Sequence, residues 1–225
     1  MALSPEAPCA YLPGRTARSE VYSARGLGGA DYARLLAQNF RRAGEIVYRP
    51  RCRACAECRQ VRVLATAFRP SRSQRRVGRR NRDLRIEVAA AVPSDEAHRL
   101  FVRYLDARHG NSMSRTWPDF TAFLYTSPLE TLEARYRVGS RLVAVSILDA
   151  CPDGLSSVYA YFDPDESRRS LGTFTALSEI EWCRRMGRPH YYLGYHVAGS
   201  QTMDYKARFL PQEVLRDGRW VLRDA

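Results

Sequence analysis

The sequence predicts an α+β protein in which a mixed β-sheet is flanked by helices, with a small cysteine-containing α/β subdomain in front of it. Three observations predict this class. The chain has 225 residues, 45% of them hydrophobic, which suffices for a packed core, and no apolar run approaches the ~18 residues of a membrane span. Helix and strand periodicities alternate along residues 83–225. Three of the six cysteines lie close together before residue 60 and indicate a separate N-terminal unit.

The N-terminal unit is predicted to cover residues 1–82. A helix over residues 31–43 carries Tyr32, Leu35, Leu36 and Phe40 on one face and is ended by Gly44. Strands are predicted on either side of the cysteines, at residues 45–49 and 61–65.

The second unit, residues 83–225, has a regular order of elements. Ser94 and Thr116 are good N-cap residues for two helices, predicted to end at His109 and Tyr125. The other predicted elements are strands at 84–92, 132–138, 142–148, 155–162 and 190–195, a helix at 172–186 and a last hairpin turning at Asp217-Gly218. This order, β-α-α-β-β-β-α-β followed by β-β, resembles the GNAT-type acyltransferase fold.

The formal net charge is +12, and Lys206 is the only lysine among the 36 basic residues. Codon preference can replace lysine by arginine but adds no positive charge, so the excess favours a polyanionic partner. The N-terminus has no basic flank followed by an apolar stretch, so we expect no signal peptide, no membrane partner and a cytoplasmic protein.

Cysteines are spaced for metal binding at Cys52, Cys55 and Cys58. Thiolates two residues apart can bind one ion, and Cys9 is the candidate fourth ligand. Four thiolates suit zinc, while the triple spacing also suits an iron–sulfur cluster. Both metals, and reduced thiols without metal, remain open at this point.

An arginine-rich run follows, with candidate phosphate contacts at Arg72, Arg75, Arg76 and Arg79. A helix is expected to begin near Ser71. No Asp or Glu occurs between Glu57 and Asp83, so most of these arginines have no acidic neighbour one helical turn away. Such a run predicts sequence-independent, salt-sensitive contacts to phosphates.

Several segments together resemble one enzyme family, and they run from residue 9 to residue 209. The matching segments are Cys9-Ala-Tyr-Leu-Pro13, Asn39-Phe-Arg-Arg-Ala-Gly44, Tyr48-Arg-Pro50, the cysteine triple, Pro70-Ser-Arg-Ser-Gln74, Ser170-Leu-Gly172, Tyr192-Leu-Gly-Tyr195 and Met203-Asp-Tyr-Lys-Ala-Arg-Phe209. The chain resembles the bacterial aspartate/glutamate leucyltransferases, relatives of the arginyl-tRNA–protein transferases. The resemblance implies transfer of leucine from leucyl-tRNA to proteins that begin with Asp or Glu, which marks them for degradation.

Under this resemblance, Tyr195, His196 and Lys206 are the expected catalytic residues near the reacting ester. Arg72, Arg75, Arg76 and Arg79 are candidates for the substrate carboxylate or the tRNA, as is Arg208 unless it only pairs with Asp204. An aminoacyl ester is already activated, so the chemistry requires no cofactor.

Three alternatives remain. The first is that the donor is arginyl-tRNA, as in the related family. An acyl-CoA-dependent N-acetyltransferase would share the fold, but its pyrophosphate loop needs a small residue where this chain has Phe174. A zinc-containing RNA-binding protein without activity would explain the charge and the cysteines, but not the polar, tyrosine-rich segment around Tyr195.

Overall fold

A mixed sheet of eight strands forms the centre of the molecule, in a computed structural model that describes residues 2–108, 110 and 113–224. In spatial order the strands are β14 (Arg219–Arg223), β13 (Gln212–Arg216), β7 (Arg59–Leu64), β12 (His190–His196), β11 (Gly154–Phe162), β10 (Arg141–Cys151), β9 (Thr131–Val138) and β8 (Arg85–Ala90). The pair β11 and β12 runs parallel and the other neighbours run antiparallel. The parallel pair follows from its connection, which contains a helix, α5 (Leu171–Arg185).

Two small sheets are formed by residues 2–50, which come before the large sheet in the chain. One has four strands, in the order β1 (Ala2–Leu3), β4 (Ser19–Ser23), β6 (Ile46–Pro50) and β5 (Arg41–Ala43). The other pairs β2 (Ala7–Pro8) with β3 (Thr16–Ala17).

The remaining helices are short and lie between the strands. They are α1 (Gly29–Leu36), α2 (Arg72–Arg80), α3 (Asp95–Arg108) and α4 (Trp117–Leu124), with short 3-10 helices at Pro164–Arg169 and Asp204–Arg208. The α+β class and the order of elements predicted after residue 83 are therefore confirmed. The predicted end of α3 at His109 lies outside the described residues.

The predicted helix over residues 31–43 is wrong in its second half. The helix α1 ends at Leu36, and residues 41–43 form the strand β5 instead. Asn39 interrupts the helix with a φ of +69°. Its side-chain amide donates to the Cys58 carbonyl at 2.9 Å and its side-chain oxygen accepts from the Gln60 N–H at 3.0 Å. Long-range hydrogen bonds thus hold a turn where the local pattern indicated a helix.

The strand β7 joins the N-terminal part of the chain to the large sheet. It lies between β12 and β13, so Arg59–Leu64 contributes to the same sheet as residues near the C-terminus. A division of the chain at residue 82 stays a prediction.

Apolar packing between this sheet and α5 positions the end of β12. Val61, Val63, Ile180 and Tyr191 belong to one buried cluster, each no more than 2% exposed. Helix α2 packs against α5. In the described part of the chain, no helix has the length and apolar character needed to cross a membrane.

Candidate active site

Lys206 lies in the 3-10 helix Asp204–Arg208 and turns inward beside the end of β12. The side chain is buried, and its Nζ donates to the carbonyl oxygen of Tyr195 at 3.0 Å. Burial, and then the positive charge of Arg41, lower the pKa of the Lys206 amine to about 7. The only lysine of the chain is therefore poised between its charged and neutral forms near neutral pH.

Arg41, on β5, is the neighbouring cation, and the sequence alone did not indicate its importance. Its Nη2 donates to the Ser157 carbonyl, whereas its Nη1 is buried without a hydrogen-bond partner among the described residues. The guanidinium lies 5.9 Å from the centre of the Tyr195 ring. Because arginine keeps its charge in proteins, Arg41 is a buried positive charge with an N–H donor that the described residues leave unpaired.

Gly194 makes room for both cations. Its φ is +90°, and a β-carbon placed on it would lie 2.7 Å from Arg41 Nη1 and 3.3 Å from Lys206 Nζ. Both nitrogens therefore approach the backbone of β12 at one point. A residue with a side chain would displace them and would also be strained at this φ.

Tyr195 supports the site through its hydroxyl group. The hydroxyl donates to the Asn39 carbonyl at 2.8 Å, and the ring meets Tyr48 edge-on with centres 6.4 Å apart. Burial holds the pKa of the Tyr195 hydroxyl well above its ordinary value, so the group stays protonated. Tyr195 thus connects β12 to the turn that carries Asn39.

His196 is the most open of the three predicted catalytic residues. Its Nε2 lies 3.9 Å from Oδ1 of Asp204. Burial, followed by the charge of Arg223, lowers the pKa of the His196 imidazole below its ordinary value. The neutral ring therefore dominates at pH 7 and can accept a proton.

A pocket opens beside His196, and Tyr195 is not among the residues that line it. Three arginines, a glutamate and four apolar residues line it together with His196, and most of them come from β7, the end of β12 and the hairpin β13–β14. The lining residues are Glu57, Arg59, His196, Ala198, Val214, Arg216, Val221, Leu222 and Arg223. Tyr195 and His196 are adjacent in the strand but have different surroundings, as the alternation of side chains along a strand requires.

Helix α2 places the predicted arginines on the surface. Ser71 and Gln74 form a capping box, with the Gln74 N–H donating to the Ser71 hydroxyl at 3.3 Å and the Ser71 N–H donating to the Gln74 side chain at 2.8 Å. The predicted start of this helix is confirmed. Arg72, Arg75, Arg76 and Arg79 are exposed, and none forms an ion pair with a described Asp or Glu.

Gln74 also connects α2 to the Lys206 segment. Its side-chain amide donates to the Arg208 carbonyl at 3.0 Å. The Arg208 side chain is exposed, and Asp204 approaches His196 rather than Arg208. This hydrogen bond links α2 to the 3-10 helix that carries Lys206 and Arg208.

The cysteines Cys9, Cys52, Cys55 and Cys58 are free thiols and half-buried. Burial, and then the negative charge that the other three would carry, raise the pKa of the Cys58 thiol to about 12. The four thiols are thus near enough to affect one another. Over the described residues, no three His, Cys, Asp or Glu side chains converge as a metal site would require. The donor set suits zinc or an iron–sulfur cluster chemically, and the metal stays a prediction.

Comparison with known proteins assigns both halves of the chain to one family. Residues 7–76 match the model for the N terminus of arginine-tRNA-protein transferases, and residues 96–216 match the model for their C terminus. The chain belongs to the arginine-tRNA-protein transferase family. In this member, Arg41 lies within the N-terminal match and Lys206 within the C-terminal match, so the two matched regions each supply one cation.

Members of the family with curated names cover nearly the whole chain. A protein of Bradyrhizobium sp. (strain ORS 278) named aspartate/glutamate leucyltransferase is 43% identical over 236 residues, which cover 99% of this chain and 92% of the relative. A protein of the same name from Stenotrophomonas maltophilia (strain R551-3) is 44% identical over 225 residues, 96% of this chain and 89% of the relative.

Among solved structures, the C-terminal domain of a putative lysylphosphatidylglycerol synthetase from Agrobacterium fabrum is 20% identical with a TM-score of 0.49. The match covers 62% of this arginine-tRNA-protein transferase family member and 46% of that chain.

Proposed function

We propose that this protein transfers leucine from leucyl-tRNA to the N-terminal α-amine of proteins that begin with Asp or Glu. The observation that carries the proposal is the 43% identity to a protein named aspartate/glutamate leucyltransferase across 99% of the chain. The donor places the reaction in the cytoplasm. The added leucine marks the acceptor protein for degradation.

The reaction is an attack of an amine on an ester. The acceptor α-amine has an unperturbed pKa of ~7.7–8.0, so an appreciable fraction is neutral near pH 7. Its nitrogen bonds to the leucyl carbonyl carbon, the bond to the ribose oxygen of the tRNA breaks, and the amine proton finally goes to that oxygen. Because the ester is already activated, positioning and proton transfer suffice, and no cofactor takes part in this chemistry.

The site residues have two kinds of role, proton transfer and positioning. We assign proton transfer to His196, whose lowered pKa keeps the imidazole neutral and able to accept a proton at pH 7. Tyr195 is a positioning residue, because its hydroxyl is already bonded to the Asn39 carbonyl. Lys206 makes a charged contact with the substrate. A metal at Cys9, Cys52, Cys55 and Cys58 would stabilise the N-terminal loop.

The tRNA is assigned to the exposed face of α2 and to Arg208. Arg72, Arg75, Arg76 and Arg79 are exposed and have no acidic partner among the described residues, as a phosphate-binding surface requires. The hydrogen bond from Gln74 to the Arg208 carbonyl connects this surface to the reaction site. Contacts of this kind give affinity that falls steeply with salt.

The test is transfer with two donors and four acceptors. Purified protein is incubated separately with radiolabelled leucyl-tRNA and arginyl-tRNA, and with peptides that begin with Asp, Glu, Lys or Ala. We expect leucine on the Asp and Glu peptides only. Arginine on the same peptides would support the second candidate donor, which the name of the family model favours. No transfer from either donor would overturn the proposal.

A further inference from the structure

Arg41 and Lys206 are two buried basic side chains that lie side by side, and no carboxylate of the described residues lies between them. They are 6% and 8% exposed, respectively. Both nitrogens, Arg41 Nη1 and Lys206 Nζ, lie within 3.3 Å of the position that a β-carbon on Gly194 would occupy. The Lys206 amine feels the positive charge of Arg41, and no acid among the described residues offsets it.

The adjacent residue, Arg42, shows how this fold treats an arginine that serves structure alone. Arg42 is also buried, but its Nε and Nη2 donate to the two carboxylate oxygens of Asp149 at 2.7 and 2.9 Å. A third nitrogen, Nη1, donates to the Gly44 carbonyl at 3.2 Å. Among the described residues, Arg41 has one carbonyl partner, and its Nη1 has none. Buried charges are ordinarily paired, so Arg41, unlike Arg42, has a buried donor that is suited to an anionic ligand.

We propose that Arg41 and Lys206 bind the side-chain carboxylate of the acceptor's N-terminal Asp or Glu. This inference rests on the proposed function and names the residues that select the acceptor. One carboxylate oxygen accepts from Arg41 Nη1, and the other accepts from an ammonium hydrogen of Lys206. The second partner of the ammonium group is the Tyr195 carbonyl, which it already contacts at 3.0 Å.

A carboxylate suits this site better than a phosphate of the tRNA. The cations are more than nine-tenths buried, so a backbone phosphate would have to bring its two riboses into the protein interior. A side-chain carboxylate is small and stands at the end of a flexible stem. Tyr11 and Tyr48, both half-buried, are near enough to Arg41 to interact with its charge. The tRNA phosphates instead have the exposed arginines of α2.

The same site explains rejection of other acceptors. A neutral Asn or Gln at the N-terminus leaves two buried cations without a counter-charge, and a Lys adds a third positive charge. Selection therefore depends on the carboxylate charge rather than on side-chain length, which permits both Asp and Glu. Low local dielectric strengthens this discrimination compared with an exposed arginine.

The presence of a single lysine gives a direct test on the unmodified protein. Protein labelled with carbon-13 lysine and carrying a lysine-free tag gives one side-chain Cε signal, whose pH titration reports the pKa of Lys206. We expect a peptide beginning with Asp to raise this pKa and a peptide beginning with Asn to leave it in place. An unchanged titration with saturating Asp peptide would overturn the inference. The measurement needs no transfer, so it separates failure of the inference from failure of the proposed function.

Variants provide the second test. In Arg41→Gln we expect kcat/KM for the Asp peptide to fall roughly tenfold or more, the scale of a charge-assisted hydrogen bond, while equilibrium binding of leucyl-tRNA is unchanged. Arg34→Gln, an exposed arginine on α1, is the matched control and retains both values. If Arg41→Gln fails to fold, the variant Lys206→Met is measured in its place. Full retention of the preference for Asp over Asn in a folded variant would contradict the inference.

Discussion

Arg42 and Asp149 form a doubly hydrogen-bonded ion pair from which solvent is fully excluded, with both side chains 0% exposed. The pair joins β5 to β10, and the Thr131 hydroxyl donates to Asp149 Oδ1 at 2.8 Å. It fixes the backbone on which Arg41 is the preceding residue. The position of the buried cation in the candidate site therefore depends on a structural ion pair next to it.

We expect removal of one partner of this pair to destabilise the protein strongly. Arg42→Met leaves the Asp149 carboxylate buried and unpaired, at a cost of about 3–5 kcal/mol in the free energy of unfolding. Urea denaturation measures the difference. Glu181→Ala, which removes a partly exposed partner of Arg184 and Arg185, is the control and should cost under about 1 kcal/mol. Equal effects of the two variants would contradict the importance of the buried pair.

The stability of the protein should depend on pH through Glu179. This residue is buried, accepts from the Tyr191 hydroxyl, and has its pKa raised to about 7 by burial. Between pH 4.5 and 7 the folded carboxyl keeps a proton that the unfolded chain releases, so its contribution to stability falls as pH rises through this window. Above pH 7 both states are ionised and the loss is complete.

Glu179→Gln tests this dependence because the amide keeps the shape and does not titrate. The free energy of unfolding is measured in urea at pH 5 and pH 8 for both proteins. We expect the wild type to lose roughly 2–4 kcal/mol relative to the variant between these values. Parallel curves for the two proteins would show that Glu179 does not titrate in this range.

The arginines of α2 should determine the salt dependence of tRNA binding. The triple variant Arg72→Gln, Arg76→Gln and Arg79→Gln removes three exposed charges and no buried contact. We expect the slope of log affinity against log salt concentration to become shallower by roughly 2 to 3. Filter binding over a salt series measures it. Arg184→Gln with Arg185→Gln on α5, where both arginines pair with Glu181, should leave the slope unchanged.

His196 and Tyr195 should differ in their effects on transfer. His196→Ala removes the proton acceptor and is expected to lower kcat by roughly 10²- to 10⁴-fold. Tyr195→Phe removes the hydrogen bond to the Asn39 carbonyl and the longer one, at 3.4 Å, to the Tyr48 carbonyl, and should cost less than about tenfold. Single-turnover transfer to an Asp peptide separates the two. A larger loss in Tyr195→Phe than in His196→Ala would reverse the assigned roles.

Local signals were sufficient for much of the fold. The start of α2 at Ser71, the cap at Thr116 and the hairpin at Asp217-Gly218 each depend on residues close together in the chain, and each is present as predicted. The structure adds Gln74 as the capping-box partner of Ser71. In the hairpin, Asp217 and Gly218 both have positive φ, as a tight two-residue turn between twisted strands requires. Local chemistry alone specifies such features.

The candidate site was only partly predictable. Tyr195, His196 and Lys206 stood in one polar segment, so sequence could single them out, but their roles stay predictions. Arg41 was hidden inside a segment whose apolar spacing indicated a helix. Asn39 turns the chain before it, and the hydrogen bonds that hold this turn come from Cys58 and Gln60.

The sequence by itself determined the class of the fold, the order of its elements after residue 83 and the family. Those properties follow from periodicity, capping residues and motifs, which are local in the chain. Only the tertiary structure decided that β7 enters the large sheet and that Arg41 meets Lys206 beside Gly194. These groups are separated by more than 100 residues in the chain, and long-range strand pairing and the ion pair of Arg42 with Asp149 bring them together.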